Sequence, residues 1–159
     1  MEFSKSLTYP VPLADFQAMS VDPDFVRGRF AHFCQDLQVE NFASGVRAHG
    51  SVDPGLLPAQ ARQMIRGELR LALSEEFVHE AALTASTQLS FEGAPVTVTM
   101  TSHFSGSSET LRQVEGEVKV AIPFFGARIE SEVLKHVDEI LDEELKLASA
   151  WLQRGSSEV

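Results

Sequence analysis

The sequence predicts an α+β fold: a curved antiparallel sheet wrapped round a long C-terminal helix, with two short helices after the first strand. Three observations carry this. A 3.6-residue apolar period runs through FFGARIESEVLKHVDEILDEELKLASAWLQR, residues 124 to 154. The four stretches before it alternate apolar and polar residues at period two, as half-buried strands do. Pro10 and Pro12 close an opening strand ahead of two short segments with helical spacing.

The long helix is the best defined element. Ile129, Val133, Val137, Ile140, Leu141, Leu147, Ala148, Trp151 and Leu152 share one broad face, with Leu134 and Leu145 along its edge. Glu132, Lys135, Asp138, Glu139, Asp142, Glu143 and Lys146 make the wet face. Pro123 stops the strand before it, and Gly155-Ser-Ser supplies the expected stop at the far end. Glu130 and Glu144 break the pattern by projecting near the middle of the apolar face, and His136 sits at its other edge. An unpaired buried carboxylate costs several kcal/mol, on the order of 2–5, in lost hydration. Each glutamate therefore reaches solvent inside a cavity, pairs with a basic group, or snorkels to the edge of a slightly turned helix.

Phe3, Lys5, Leu7 and Tyr9 alternate with polar residues in the opening strand. Lys5 falls on the apolar side. It is either an edge-strand ammonium snorkelling outward or an internal partner for Glu130 or Glu144. PLADFQAMS reads as one or two helical turns, and Asp22-Pro23 starts a second helix with an apolar side of Phe25, Val26, Phe30, Phe33 and Cys34. DLQVENFAS and GVRAHGSVD read as two strands around Ser44-Gly45. Asp53-Pro-Gly-Leu-Leu-Pro is a loop expected to expose Leu56 and Leu57, followed by a short helix from Ala59 to Ile65. Arg62 and Arg66 lie one turn apart there, with Arg70 in the next strand; they are surface residues, or they meet an anionic group at a cavity mouth.

The last four strands are clearer. Leu69, Leu71, Leu73 and Phe77 share one side of the first, and Leu83, Ala85, Thr87, Leu89 and Phe91 one side of the second. Val96, Val98, Met100 and Phe104 then face away from Thr97, Thr99, Thr101 and His103, and Val114, Val118, Val120 and Ile122 point inward in the fourth. A wide antiparallel sheet twists and curls, and one helix laid across it need not fill the space beneath. Residues 1–155 read as one domain and 156–159 as a tail.

Composition excludes several functions. The formal net charge of −10 repels a phosphate backbone, so nucleic acid is not an expected partner. From Ile129 onward there are eight acidic and three basic residues, half of that excess, on a face whose ordinary role is solvation. No stretch is long and apolar enough for integral membrane contact, and MEFSKSLTY does not read as a signal peptide. Cys34 is the single cysteine, so no internal disulfide forms, and a cytoplasmic location is expected. GxSxG, HExxH, glycine-rich phosphate loops and paired cysteines are absent from the sequence, and His32, His49, His79, His103 and His136 lack metal-ligand spacing. No catalytic residue, metal or cofactor is assigned. His136 with Glu130 or Glu144 is the one constellation worth weighing for proton transfer, since a carboxyl in an apolar hollow can serve near neutrality.

The opening strand to Tyr9-Pro10, Leu57-Pro58, the turn Gly93-Ala-Pro-Val and, most specifically, VKVAIPFFGARIE from Val118 to Glu130 carry a resemblance over essentially the whole chain. The sequence resembles the helix-grip superfamily of START domains, polyketide cyclases and birch-pollen-allergen-like proteins, and within it a family of uncharacterised, mostly actinobacterial proteins. The resemblance implies a deep hydrophobic pocket between sheet and helix. It carries over no catalytic motif; the resemblance implies an aromatic, such as tryptophan, near the end of the fourth strand, where Phe77 is the nearest candidate here. A cone-shaped fold of the NTF2 type fits less well, because such chains end in strands.

The expected function is binding of a small hydrophobic or amphipathic molecule, lipid- or polyketide-like. Its candidate lining is Leu71, Leu73, Leu89, Phe91, Val98, Met100, Phe104, Val118 and Val120 from the sheet. The helix adds Ile129, Glu130, Val133, His136, Val137, Ile140 and Glu144. Leu56, Leu57, Arg62 and Arg66 form the candidate mouth. Two alternatives stand beside it: an enzyme of cyclase, dehydratase or hydrolase type using a polar group in that pocket, and an interaction module holding no ligand.

Overall fold

A computed structural model describes residues 1–65 and 67–157. Strand β1 (Glu2–Tyr9) is followed by helices α1 (Leu13–Ser20) and α2 (Pro23–Arg29). Strands β2 (Gln38–Asn41) and β3 (Gly45–Ser51) come next, then a single 3-10 turn (Pro54–Leu56) and helix α3 (Ala59–Arg62). Strands β4 (Arg70–His79), β5 (Leu83–Glu92), β6 (Val96–Gly106) and β7 (Thr110–Val120) lead into α4 (Gly126–Ser157).

All seven strands form one antiparallel sheet in the order β1-β7-β6-β5-β4-β3-β2. The chain therefore starts at one edge, crosses to the other edge through α1 and α2, and meanders back until β7 meets β1. Strict alternation fixes which face is wet. In β6 the even positions from Val96 to Phe104 are buried while Thr99, Thr101 and His103 stay exposed. The sheet curves round α4, which packs against β1, β7 and α2.

The caps follow the local chemistry. Asp22 Oδ1 accepts the Asp24 amide at 2.9 Å, and Pro23 occupies the first helical position of α2, where no amide partner is lost. Pro10 follows the last residue of β1, Pro12 stands at the N-cap of α1, and the Leu13 amide donates to Ser107 O at 3.0 Å, tying α1 to the β6–β7 turn. Helices α2 and α4 approach closely at Gly28, where a Cβ would stand 3.0 Å from both methyls of Leu147.

Three elements depart from the sequence expectations. Helix α4 starts at Gly126 rather than Phe124 and runs through Gly155 to Ser157. Phe124 takes a left-handed backbone, with φ of 70°, and its ring is fully exposed; that conformation, unfavourable for a bulky residue, is what stops the helix reaching back to it. Helix α3 covers only residues 59–62, with turn hydrogen bonds carrying the chain on to Ile65. The first of the two middle strands is cut to four residues at the sheet edge.

Gly50 on β3 is required by close packing. A Cβ there would overlap Cys34 Sγ and stand 3.1 Å from Asp36 Oδ1 and Leu37 Cα. Gly50→Ala is expected to destabilise by about 1–3 kcal/mol. Urea denaturation reads this as a lower midpoint at unchanged slope, and an unchanged midpoint would show that the segment around Cys34 yields freely.

Candidate ligand-binding cavity

The interior between sheet and α4 divides into two compartments, one apolar and one charged. The apolar one is a cavity of about 60 Å³. Leu69, Leu71, Leu89, Phe91, Val96 and Val98 line it from the sheet, and Val133, His136, Val137 and Ile140 from α4. Phe30 and Phe33 close one side, while Val52, Leu56 and Leu57 roof it. Every lining residue but His136 is hydrocarbon, and water needs polar partners to be held in such a space.

Leu56 and Leu57 are half-buried over this cavity, a correction to the exposed loop expected from sequence. Asp53 holds their turn by accepting the Gly55 amide on Oδ1 at 2.9 Å. His136 joins the roof to α4: its Nε2 lies 3.1 Å from Leu56 O and its Nδ1 3.4 Å from Glu139 Oε2. The Phe33 ring meets the imidazole edge-on at 5.4 Å.

The charged compartment lies beyond Leu141, where the inner face of α4 turns from hydrocarbon to Glu144. Glu144 Oε2 accepts from Tyr9 Oη at 2.9 Å and from an Arg112 guanidinium nitrogen at 2.8 Å. Its Oε1 stands 2.7 Å from Arg29 Nε, which is not aimed at it, so charge rather than an aligned hydrogen bond holds that contact. Arg29 also reaches Glu75 at 3.2 and 3.4 Å, Thr87 donates to Glu75 at 2.8 Å, and Arg112 Nε donates to Ser102 Oγ at 2.9 Å. Arg29, Glu75, Arg112 and Glu144 are each at most 4% exposed, and their formal charges cancel. The hollow beside them, about 10 Å³, is at the size of one water.

These neighbours govern protonation. Burial works to raise the Glu75 pKa, but the Arg29 and Arg112 charges and the Thr87 hydroxyl outweigh it and hold the carboxyl below the ordinary glutamate range. Burial works to lower Arg29, and the charges of Glu144 and Glu75 outweigh it. Burial and the Glu144 charge push the Tyr9 phenol well above its ordinary value. A carboxyl depressed in the native state stabilises the fold fully above its unfolded value of 4.5, and that contribution is lost as pH falls through the lower native value. The urea midpoint is therefore expected to hold from neutrality to about pH 5 and then fall, with a shallower fall in Glu75→Gln. Equal slopes in the two proteins would show that Glu75 is not the linked group.

Of the residues singled out in the sequence, the cavity gathers Leu71, Leu89, Phe91, Val98, Val133, His136, Val137, Ile140, Leu56 and Leu57. Leu73, Met100, Val118, Val120 and Ile129 are buried elsewhere in the core, and Phe104 and Glu144 line the charged compartment. Glu130 lies outside both: its carboxylate meets the Met1 amine at 3.2 Å and the Val120 amide at 3.3 Å. Arg62 is exposed on α3, and Arg66 lies outside the described residues. Arg70 is engaged with Glu68 at 3.5 Å and Ser51 at 3.3 Å. Lys5 does not reach Glu130 or Glu144; on edge strand β1 it snorkels to Asp138 and Asp142 at 3.5 and 3.4 Å. His136 likewise pairs with neither Glu130 nor Glu144, so the proton-transfer constellation does not form. Among the described residues no histidine, cysteine and carboxylate cluster is arranged to hold a metal.

The sheet gripping a C-terminal helix defines a START-like, birch-pollen-allergen-like fold, and solved structures share it. A Thermus thermophilus protein superposes with a TM-score of 0.64 at 16% identity, over 94% of this chain and 98% of that one. Norcoclaurine synthase from Thalictrum flavum, in complex with a transition-state analogue, gives 0.59 at 15% identity over 94% of each chain. A START superfamily protein from Mycobacterium smegmatis gives 0.54 at 15% identity, over 92% of this chain and 97% of that one. Within this class the chain belongs to the family described as protein of unknown function DUF2505, whose model matches residues 4–152. No functionally curated protein matches the sequence.

Proposed function

We propose that the protein binds a small hydrophobic or amphipathic molecule in the cavity between the sheet and α4, without making or breaking a bond. The observation that carries this reading is the hydrocarbon-lined hollow roofed by Leu56 and Leu57. Filling it with side chains would stabilise the fold, because each unfilled methylene forfeits dispersion contacts. A space that the side chains leave unfilled at that cost is suited to a guest.

At about 60 Å³ the hollow is smaller than the ~300–1,000 Å³ of drug-sized sites, so a lipid-sized guest enters by displacing the roof. The turn carrying Leu56 and Leu57 is what such a guest would move, and the Val52 amide donating to Leu69 O at 2.9 Å closes the chain at its base. An enzyme reading loses the His136–glutamate constellation weighed for it, and the buried charges of Glu144 and Glu75 are committed to Arg29 and Arg112. Helix α4 is too charged to cross a membrane, in keeping with a carrier that meets its guest from water.

Native mass spectrometry of freshly purified protein tests this reading. It is expected to show an adduct of lipid-like mass that gentle activation releases. A spectrum of bare protein, unchanged after incubation with hydrophobic metabolite extract, would contradict it.

A further inference from the structure

Among the described residues, three of the exposed large apolar side chains, Met1, Phe124 and Phe125, lie at one end of the molecule. The Ile129 amide donates to Phe125 O at 3.1 Å, so the two rings sit on the turn that opens α4. The Val118 amide donates to Met1 O at 2.8 Å, and Ser131 Oγ lies 3.9 Å from Met1 Sδ, which sets Met1 beside the same turn. The Ala121 amide donates to Pro95 O at 3.0 Å and ties this end to the β5–β6 connection. Val96 follows Pro95, and Val133 stands one helical turn beyond Ile129; both line the cavity. The exposed rings therefore stand at the cavity's end of the molecule.

Phe124 holds a left-handed backbone, φ 70°, that a bulky residue disfavours, and its fully exposed ring gains no packing in return. Folding alone explains neither feature, because glycine or asparagine adopts that backbone without leaving a ring in water. The local charge is also unlike the rest of the chain. From Val118 to Ile129 there are Lys119 and Arg128 and no acid, in a protein of net charge −10. The flanking acids are engaged: Glu117 with Lys119 at 3.1 Å, Glu130 with the Met1 amine at 3.2 Å, and Glu132 with Lys135 at 3.0 Å. A protruding pair of rings flanked by cations suits a bilayer surface, where rings lodge at the headgroup level and cations face anionic headgroups. A second copy of the chain fits less well, since joining two such turns sets Lys119 and Arg128 against their own kind.

We propose that the turn from Pro123 to Gly126 docks the protein peripherally on an anionic bilayer surface. Phe124 and Phe125 enter the headgroup layer, and Lys119 and Arg128 face its phosphates. The contact is made from the water side and spans nothing. It goes beyond the binding reading and does not depend on it, because docking requires no guest.

Flotation of the full chain with vesicles tests it, using phosphatidylcholine alone and phosphatidylcholine mixed with phosphatidylglycerol. The chain is expected to float with the mixed vesicles. Phe124→Asn keeps a residue tolerant of the left-handed backbone and removes the ring; it is expected to lower the bound-to-free ratio about tenfold, as losing one buried aromatic ring does. Its urea midpoint is expected to stay level or rise, because the ring packs against nothing. Arg128→Glu is expected to weaken binding to mixed vesicles at least about fivefold and to change binding to phosphatidylcholine little. Leu111→Ser removes an exposed apolar side chain near the far end of β7, and binding is expected to be unchanged. A wild-type chain that stays off the mixed vesicles, flotation unchanged in Phe124→Asn, or an equal loss in Leu111→Ser would each overturn the proposal. So would self-association without flotation that Phe124→Asn abolishes, which would give the turn to a second copy. None of these results bears on whether the cavity holds a guest.

Discussion

Replacing Glu144 by Gln is expected to lower stability at pH 7 by about 3–5 kcal/mol, among the largest effects available to a single substitution in this chain. The carboxylate neutralises Arg29 and Arg112 within 2.8 Å, in a compartment where none of the four charged side chains is more than 4% exposed. Its loss leaves two guanidinium groups facing the single charge of Glu75. An arginine does not escape by releasing its proton, so the whole cost appears as destabilisation. Urea denaturation at neutral pH measures it, and a loss below about 1 kcal/mol would mean that water reaches the network. The double variant Arg112→Met with Glu144→Met restores charge balance with Arg29 and Glu75 still paired. It is expected to be less destabilised than the sum of its two single changes, the signature of coupled residues.

The second large effect concerns the cavity. Val137 lines it from α4, and Val137→Phe places a ring in the empty space. Stability is expected to change by less than about 1.5 kcal/mol, because the added volume has somewhere to go. Binding of any guest that uses the cavity is expected to weaken at least about tenfold, the equivalent of about 1.4 kcal/mol. Val114→Phe provides the contrast. Val114 is fully buried in β7, outside the cavity lining, so overpacking there is expected to cost about 1–3 kcal/mol. Equal destabilisation by both substitutions would show that the hollow is not available space.

The sequence carried the architecture because period is a local property. Alternation in β4 to β7 and the helical stripe of α4 each needed only neighbouring residues to be read. The apolar half of the cavity was legible for the same reason, as the inward positions of strands and helix were already sorted. The charged compartment was not. Glu75 keeps step with inward Leu71, Leu73 and Phe77, Arg112 with inward Val114 and Val118, and Arg29 stands one turn from Val26 on the apolar side of α2. Each taken alone looks like a single charge interrupting an apolar face. That two acids and two bases break phase at inward positions was the available signal, and matching them would have given Glu144 its partners. Lys5 and His136, the partners the sequence suggests for Glu144, do not reach it; Lys5 lies on an edge strand from which an ammonium reaches water. The meeting itself depends on sheet order, which sets β4 and β7 three strands apart beneath α2 and α4. The roof is not legible in the sequence because Leu56 and Leu57 follow loop-forming residues, and only the cavity beneath gives them something to cover.

A crystal of the protein pressurised with xenon tests the central claim most directly, since xenon enters dry apolar hollows and avoids hydrated ones. Xenon is predicted beneath Leu56 and Leu57, against Leu71, Val98, Val133 and Ile140. Ordered water at that position, or side chains closed over it with no xenon inside, would contradict the account.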